Sequence, residues 1–329
     1  ECGNVLKSAD FKSVQDRVRL KLMIEAPDEY LSFRRAVGLY PLPVLFISDG
    51  IKKLHQNARQ RFSNSPPKRL LLVRYKPEGK SNFSCSAHKI MQNAELDVLG
   101  IPVFSRAEQR ALFEMYAPVW EVETKGDYDR IGAPEWAAAQ HLRVNIQKPV
   151  TYERLSYTRF DGRVFPQLNY IIWFPKRPKR SVLDLAGGFI DGVNFRVTLG
   201  LEGQPLLYET VHNCGCYLKF YPTHRIHQRT LPGECIEPPL ILQPPALNPT
   251  TQRMVISMES GSHYVRHLYA ASRNGRKFGE TYPLLDYNDL RSLPVPGNGR
   301  RSMFNEYGMV PGTERLERFI LWPAGVANP

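Results

Sequence analysis

The densest group of potential ligands lies in residues 205–227, PLLYETVHNCGCYLKFYPTHRIH, which contain His212, Cys214, Cys216, His224 and His227. The segment is rich in β-branched, aromatic and leucine side chains and follows the turn-like Gly200-Leu201-Glu202-Gly203. Its first half is therefore expected to be one strand of a hairpin. Alternation puts Leu206, Tyr208, Thr210, His212, Cys214 and Cys216 on one face, with Leu207, Glu209 and Val211 on the other. An imidazole and two thiols about 6 to 7 Å apart along a strand can converge on one soft ion. His224 and His227 could close the site. His263 and His267, four residues apart and expected on one face, supply further ligands or a general base. Copper or zinc suits these donors, and three protein ligands would leave a position open to activate water or bind oxygen. The leading expectation is an extracytoplasmic metal-binding protein or metalloenzyme with a His-x-Cys-x-Cys site.

Other chemistry fits the same residues. The chain has no C-x-x-C pair and no H-E-x-x-H, so the spacing matches no standard zinc motif. In an oxidising compartment Cys214 or Cys216 could pair with a distant cysteine, leaving His212 as a hydrogen-bonded residue at a sheet edge. Cys214-Gly215-Cys216 could close a strained disulfide of oxidising potential. One of the two thiols could instead serve as a nucleophile beside a histidine base, making a thiol-dependent enzyme. There is no P-loop, no G-x-G-x-x-G after a strand, no G-x-S-x-G elbow, no EF-hand loop and no C-x-x-C-H. These absences argue against nucleotide-driven chemistry, dinucleotide oxidoreduction and an α/β-hydrolase.

Composition bounds the partners. A formal charge of +12 favours an anionic partner, whether protein, polysaccharide or membrane surface. This gives a second class of function: a non-catalytic basic binding module or complex subunit braced by disulfides. The basic clusters at 66–69, 175–180, 273–277 and 300–301 sit beside Pro or Gly and read as solvated loops. No RNP, zinc-finger or helix-turn-helix signature accompanies them, so specific nucleic-acid recognition is not expected. The apolar runs at 44–47 and 170–174 are too short to span a bilayer. Cys2 stands near the position of the lipidated cysteine of a bacterial lipoprotein, although Glu1 precedes it. With five cysteines in the chain, the expectation is a periplasmic, outer-membrane-associated or secreted protein in which Cys85 pairs with Cys235. The ending at Trp322-Pro323-Ala324-Gly325 reads as an open connection to a longer natural chain.

The elements that must position these residues read as α+β: N-terminal helices with a short strand, packed on a mainly antiparallel sheet. Residues 1–150 form a mixed, mainly helical region and 151–329 a β-rich one, and the two can share a core. Spacing predicts an amphipathic helix over 11–24 lying on the core through Phe11, Val14, Val18 and Leu22, then helices over 28–36 and 48–62. Lys52, Lys53, Arg59 and Arg61 on the third face solvent. A buried strand is expected over 69–75, and Ser105-Arg106-Ala107-Glu108 is a capping box opening a helix that Pro118 ends. Glu121, Glu123, Asp127 and Asp129 near Trp120 and Trp136 could form the carboxylate pair of a sugar-cleaving site, but a solvated loop is the preferred reading. Strands follow over 167–174, 189–199, 205–221 and 253–258, with Asp191-Gly192 as a bend or bulge, less readily a catalytic aspartate. Residues 228–252 read as a proline-rich loop and 313–321 as a helix or last strand.

Overall fold

Leu168, Tyr170, Ile172 and Phe174 alternate with Ile171 and Trp173, and both sets are buried. A strand apolar on both faces must lie between two layers. The computed structural model shows those layers, and it describes residues 2–23, 43–63, 71–79, 86–138, 141–179, 181, 184, 186–229, 238–273, 279–297 and 299–315. The helices are α1 (Cys2–Asp10), α2 (Val14–Met23), α3 (Pro43–Ser63), α4 (Ala87–Asn93) and α5 (Arg106–Tyr116). The longer strands are β1 (Leu72–Pro77), β2 (Val119–Glu123), β3 (Ala133–Ala138), β4 (His141–Asn145), β5 (Thr151–Phe160), β6 (Arg163–Arg177) and β7 (Gly188–Leu199). They continue with β8 (Pro205–His212), β9 (Lys219–Pro222), β10 (Leu240–Ile241), β11 (Gln252–Met258), β12 (Val265–Ser272), β13 (Glu280–Tyr282) and β14 (Leu284–Asp286). The architecture is mixed α+β with mainly antiparallel sheets.

A seven-stranded sheet runs β10-β9-β8-β7-β6-β5-β14, antiparallel from β9 to β5 and closed at each edge by a parallel strand. A five-stranded sheet runs β12-β11-β2-β1-β13, with β2 parallel to β11 and antiparallel to β1. One core unites the sheets: Trp120, Ile256 and Met258 of the smaller pack in the same cluster as Tyr170, Phe195 and Tyr221 of the larger. The opposite face of the larger sheet carries Tyr152, Ile171, Trp173 and Ile190, covered by Trp136 and Val144 of the β3–β4 hairpin and by Leu290, Leu293 and Met303.

Helix α5 is anchored at both ends. Ser105 Oγ accepts from Glu108 N at 3.3 Å and Glu108 Oε2 accepts from Ser105 N at 2.8 Å, which is the expected capping box. At its C-terminal end Arg253 donates to the carbonyls of Glu114 and Ala117, and Arg273 to that of Met115. These cations satisfy terminal carbonyls that have no partner within the helix and complement its dipole. The turn before β8 packs against α4: Gly203 has φ +79°, a Cβ on it would sit 2.6 Å from the Ala87 backbone, and its carbonyl accepts from Tyr116 Oη at 2.6 Å.

Two expectations change. The apolar stripe of α2 does not lie on the core, since Val14, Val18 and Leu22 are 66%, 51% and 81% exposed. Polar tethers hold this region instead, Lys7 reaching Asp97 at 3.0 Å and Arg17 the Val98 carbonyl at 2.9 Å. Nor is 119–123 a solvated loop: it is β2, central in its sheet, with Glu121 and Glu123 buried. Arg74 and Tyr269 satisfy Glu121 at 2.6 and 2.7 Å, and Arg266 and Lys125 satisfy Glu123 at 3.1 and 3.0 Å. The basic residues of α3 are exposed as expected. The helix over 28–36, the Cys85–Cys235 pair and the end of the 313–321 segment lie outside the described residues.

Replacing Ser105 by Ala removes one bond of the capping box and should lower unfolding free energy by about 1 kcal/mol. Urea denaturation would show this as a lower midpoint at unchanged slope.

Candidate functional site

In β7, Asp191 is in phase with Val193, Phe195, Val197 and Leu199, all fully buried, so pleating sends its carboxylate into the interface between the sheets. Across that interface the chain leaving β11 turns tightly through Glu259–Ser262 and presents His263 with φ +51°. Asp129 arrives from the short helical turn Asp127–Asp129 after β2. His212, the last residue of β8, enters beside Asp191, because Val193 pairs with His212 across the β7–β8 ladder. Gly192 makes this approach possible: a Cβ there would collide with the Asn213 amide and the Ile172 carbonyl.

The four side chains form a row. His263 Nδ1 lies 2.6 Å from Asp191 Oδ2, and its Nε2 is 3.1 Å from the Tyr128 carbonyl and 3.5 Å from Asp129 Oδ1. Both ring nitrogens therefore face acceptors, which suits an imidazolium. Asp129 also accepts from Lys125 N, Ser260 Oγ and Gly261 N at 2.8, 2.8 and 2.6 Å. Phe174 stacks on His263 at 3.8 Å with the planes 2° apart. Asp191 Oδ1 is 3.6 Å from His212 Nδ1, just beyond hydrogen-bond reach. His212 is only 2% exposed, and among the described residues neither of its ring nitrogens has a hydrogen-bond partner.

The two histidines titrate in opposite directions. Burial works against a charged His263, but its bonds to Asp129 and Asp191 and their charges outweigh this and raise its pKa above the ordinary value. Burial would likewise raise Asp191, yet His212 and His263 hold it well below the usual carboxylate range. For His212 burial wins over Asp191, and the charges of Lys219 and His263 push further the same way, so its pKa is lowered and the ring is neutral. Lys219 is buried too, its Nζ 3.4 Å above the centre of the Tyr264 ring, and burial brings its pKa down to about 7. Tyr217 joins these groups, edge-on to both His212 at 5.0 Å and Tyr264 at 5.5 Å.

Backbone strain gathers at the same place. Ile190, Tyr217 and His263 adopt φ of +47°, +57° and +51°, a region that non-glycine residues seldom occupy, least of all β-branched ones. Such strain, of order 1–3 kcal/mol per residue, persists where surrounding contacts enforce it and concentrates at functional sites.

Of the seven expected ligands, the structure brings together His212 and His263. Strand β8 ends at His212, so the alternation expected through Cys216 stops there. Residues 213–216 turn back instead, with Gly215 at φ +91° and His212 N donating to the Cys216 carbonyl at 3.0 Å. Cys214 is consequently exposed and Cys216 half-buried, while His212 points inward. His224 and His227 are exposed beyond β9. His267 does not share a face with His263, because the turn at His263 breaks the period; it bonds the Phe62 carbonyl at 2.9 Å and stacks on Tyr269. Among the described residues no three His, Cys, Asp or Glu side chains are placed to hold a metal ion.

Asp129, Asp191 and Lys219 are members of the site that the sequence reading did not select. Asp191 carried a legible signal, a carboxylate in phase with four core residues. The sign of each pKa shift fixes its effect on stability. His263, raised, contributes fully below about pH 6.5 and loses its contribution as pH rises through its folded value; Asp191, lowered, contributes above about pH 4 and loses it as pH falls. His263→Ala strands two buried carboxylates and should cost about 3–5 kcal/mol at pH 6. Its stability should also lack the alkaline decline due to His263, as thermal melts from pH 5 to 9 would show.

Comparison with known proteins finds no matching family model, no matching curated protein and no matching solved structure.

Proposed function

We propose that the protein is an enzyme working by proton transfer, with His212 as the general base. The observation that carries this reading is a neutral, almost wholly buried imidazole whose two nitrogens have no partner among the described residues, beside a carboxylate fixed by other groups. A buried polar atom left unsatisfied costs about 1–3 kcal/mol, so the arrangement favours a ligand that supplies the missing bonds. A movement of a few tenths of an ångström would let Nδ1–H donate to Asp191 and direct the Nε2 lone pair at that ligand, the division of labour of an oriented catalytic histidine. Asp191 cannot swing away to meet it, because His263 holds its other oxygen. Lys219, with a pKa of about 7, is a second group able to exchange a proton near neutrality.

A second reading is favoured by the two cysteines in the turn that follows. His212 would be a ligand to a soft ion, copper or zinc, with Cys214 and Cys216 completing the set and Asp191 orienting the ring from behind. It needs the turn to close over His212.

Both readings require a usable lone pair on His212. Ring-nitrogen NMR needs no access to the side chain: across pH 5–8 it should find His212 neutral with a midpoint below about 6.5 and His263 charged above it. A His212 that stays protonated to pH 8 would remove the base. Elemental analysis separates the readings: stoichiometric copper or zinc that is lost in both His212→Gln and Cys214→Ser favours the metal.

A further inference from the structure

We propose that helices α1 and α2 lie on an anionic lipid surface, with their outward apolar side chains set between the head groups. Val14, Val18 and Leu22 recur every four residues and so share one face of α2, and each is exposed over more than half of its surface. The side that carries Arg17 and Leu20 is the attached one: Leu20 is half-buried, and Arg17 donates to the Val98 carbonyl. Helix α1 is attached in the same manner, Lys7 reaching Asp97 while Val5 and Leu6 stay in solvent. Both tethers end on one small hairpin, Glu95–Leu96 paired with Pro102–Val103, whose Leu96 is exposed as well. Large apolar side chains left in water at this density mark an interaction surface.

Charge identifies the partner. Lys12 and Arg19 are exposed in the same segment, and the chain as a whole carries +12. Of the acidic side chains here, Asp10 is exposed, whereas Asp16 is turned back at the start of α2, where its carboxylate accepts from Ser13 Oγ at 2.6 Å and meets the positive end of the helix dipole. Anionic head groups complement such a segment. The long stems of Lys and Arg let their charges reach those groups while neighbouring Val and Leu enter the acyl boundary. A second copy of the chain suits the surface less well, because across a two-fold axis the same patch meets its own image and like charges face each other. At nine and ten residues, α1 and α2 are too short to cross a bilayer and would lie along it.

Sedimentation of the whole protein with vesicles tests the proposal, using phosphatidylcholine alone or phosphatidylcholine and phosphatidylglycerol in equal parts. The anionic vesicles should bind the protein about tenfold more strongly than the neutral ones. Arg19→Gln should weaken binding to anionic vesicles about fivefold, the effect of one cation near a charged membrane. The double variant Val18→Asp, Leu22→Asp should weaken it by about tenfold or more. Both of its positions are exposed, so its melting temperature should match that of the native protein. Absence of binding to anionic vesicles would overturn the proposal, as would equal binding to the two compositions or binding unaltered in the double variant. A concentration-dependent dimer seen by light scattering in place of vesicle binding, and dissolved by the double variant, would also overturn it and give the stripe to a second copy of the chain.

Discussion

An imidazolium between two carboxylates ties the two sheets together. Asp191 belongs to the seven-stranded sheet, His263 to the turn that follows a strand of the five-stranded one, and Asp129 to the turn that leaves its neighbour. Each group alone would be expensive at this depth, and the desolvation of any one is repaid only when all three are present. Hydrophobic packing between pleated faces tolerates sliding by small amounts, whereas a contact of 2.6 Å does not. The row therefore fixes how the sheets register, and its worth lies more in specifying one arrangement than in net stability.

That constraint gives the two buried histidines different roles. His263 is saturated: charged, stacked on Phe174 and bonded on both edges. His212 is left over, held neutral partly by the charge His263 carries. The fixed cation thus helps to keep its neighbour unprotonated, so the two buried histidines differ in charge.

What could be read from the sequence followed short-range rules. The capping box at Ser105 and the strands over 167–174 and 189–199 follow from local preference and period-two patterning, and both lie where expected. The amphipathic reading of α2 failed because periodicity reveals a stripe without naming what covers it, and here basic side chains make the attachments. The strand alternation expected over 212–216 stops at a single glycine: with Gly215 in the left-handed region the chain reverses, and the period that put His212 on one face with the cysteines no longer applies. His263 and His267 separated for a related reason, a positive φ that no residue type announced. Contacts between residues far apart in sequence, such as Asp129 with His263, depend on how two sheets dock, and no local pattern encodes that.

The ends of the larger sheet have a consequence for behaviour in concentrated solution. Its long central strands, up to the 15 residues of β6, are flanked by β10 with two residues and β14 with three. A short border strand offers few unpaired amides of its own. It also covers little: β14 pairs with Thr151–Glu153 only, so among the described residues the rest of β5 has no ladder partner on that side. The smaller sheet is guarded on one side by the three-residue β13 and on the other by α3, which lies along β12 with Arg61 bonded to Glu259 and Phe62 against His267. Loss of the α3 contact would uncover the eight-residue β12 and add a second long edge to that of β5 through which copies of the chain could pair.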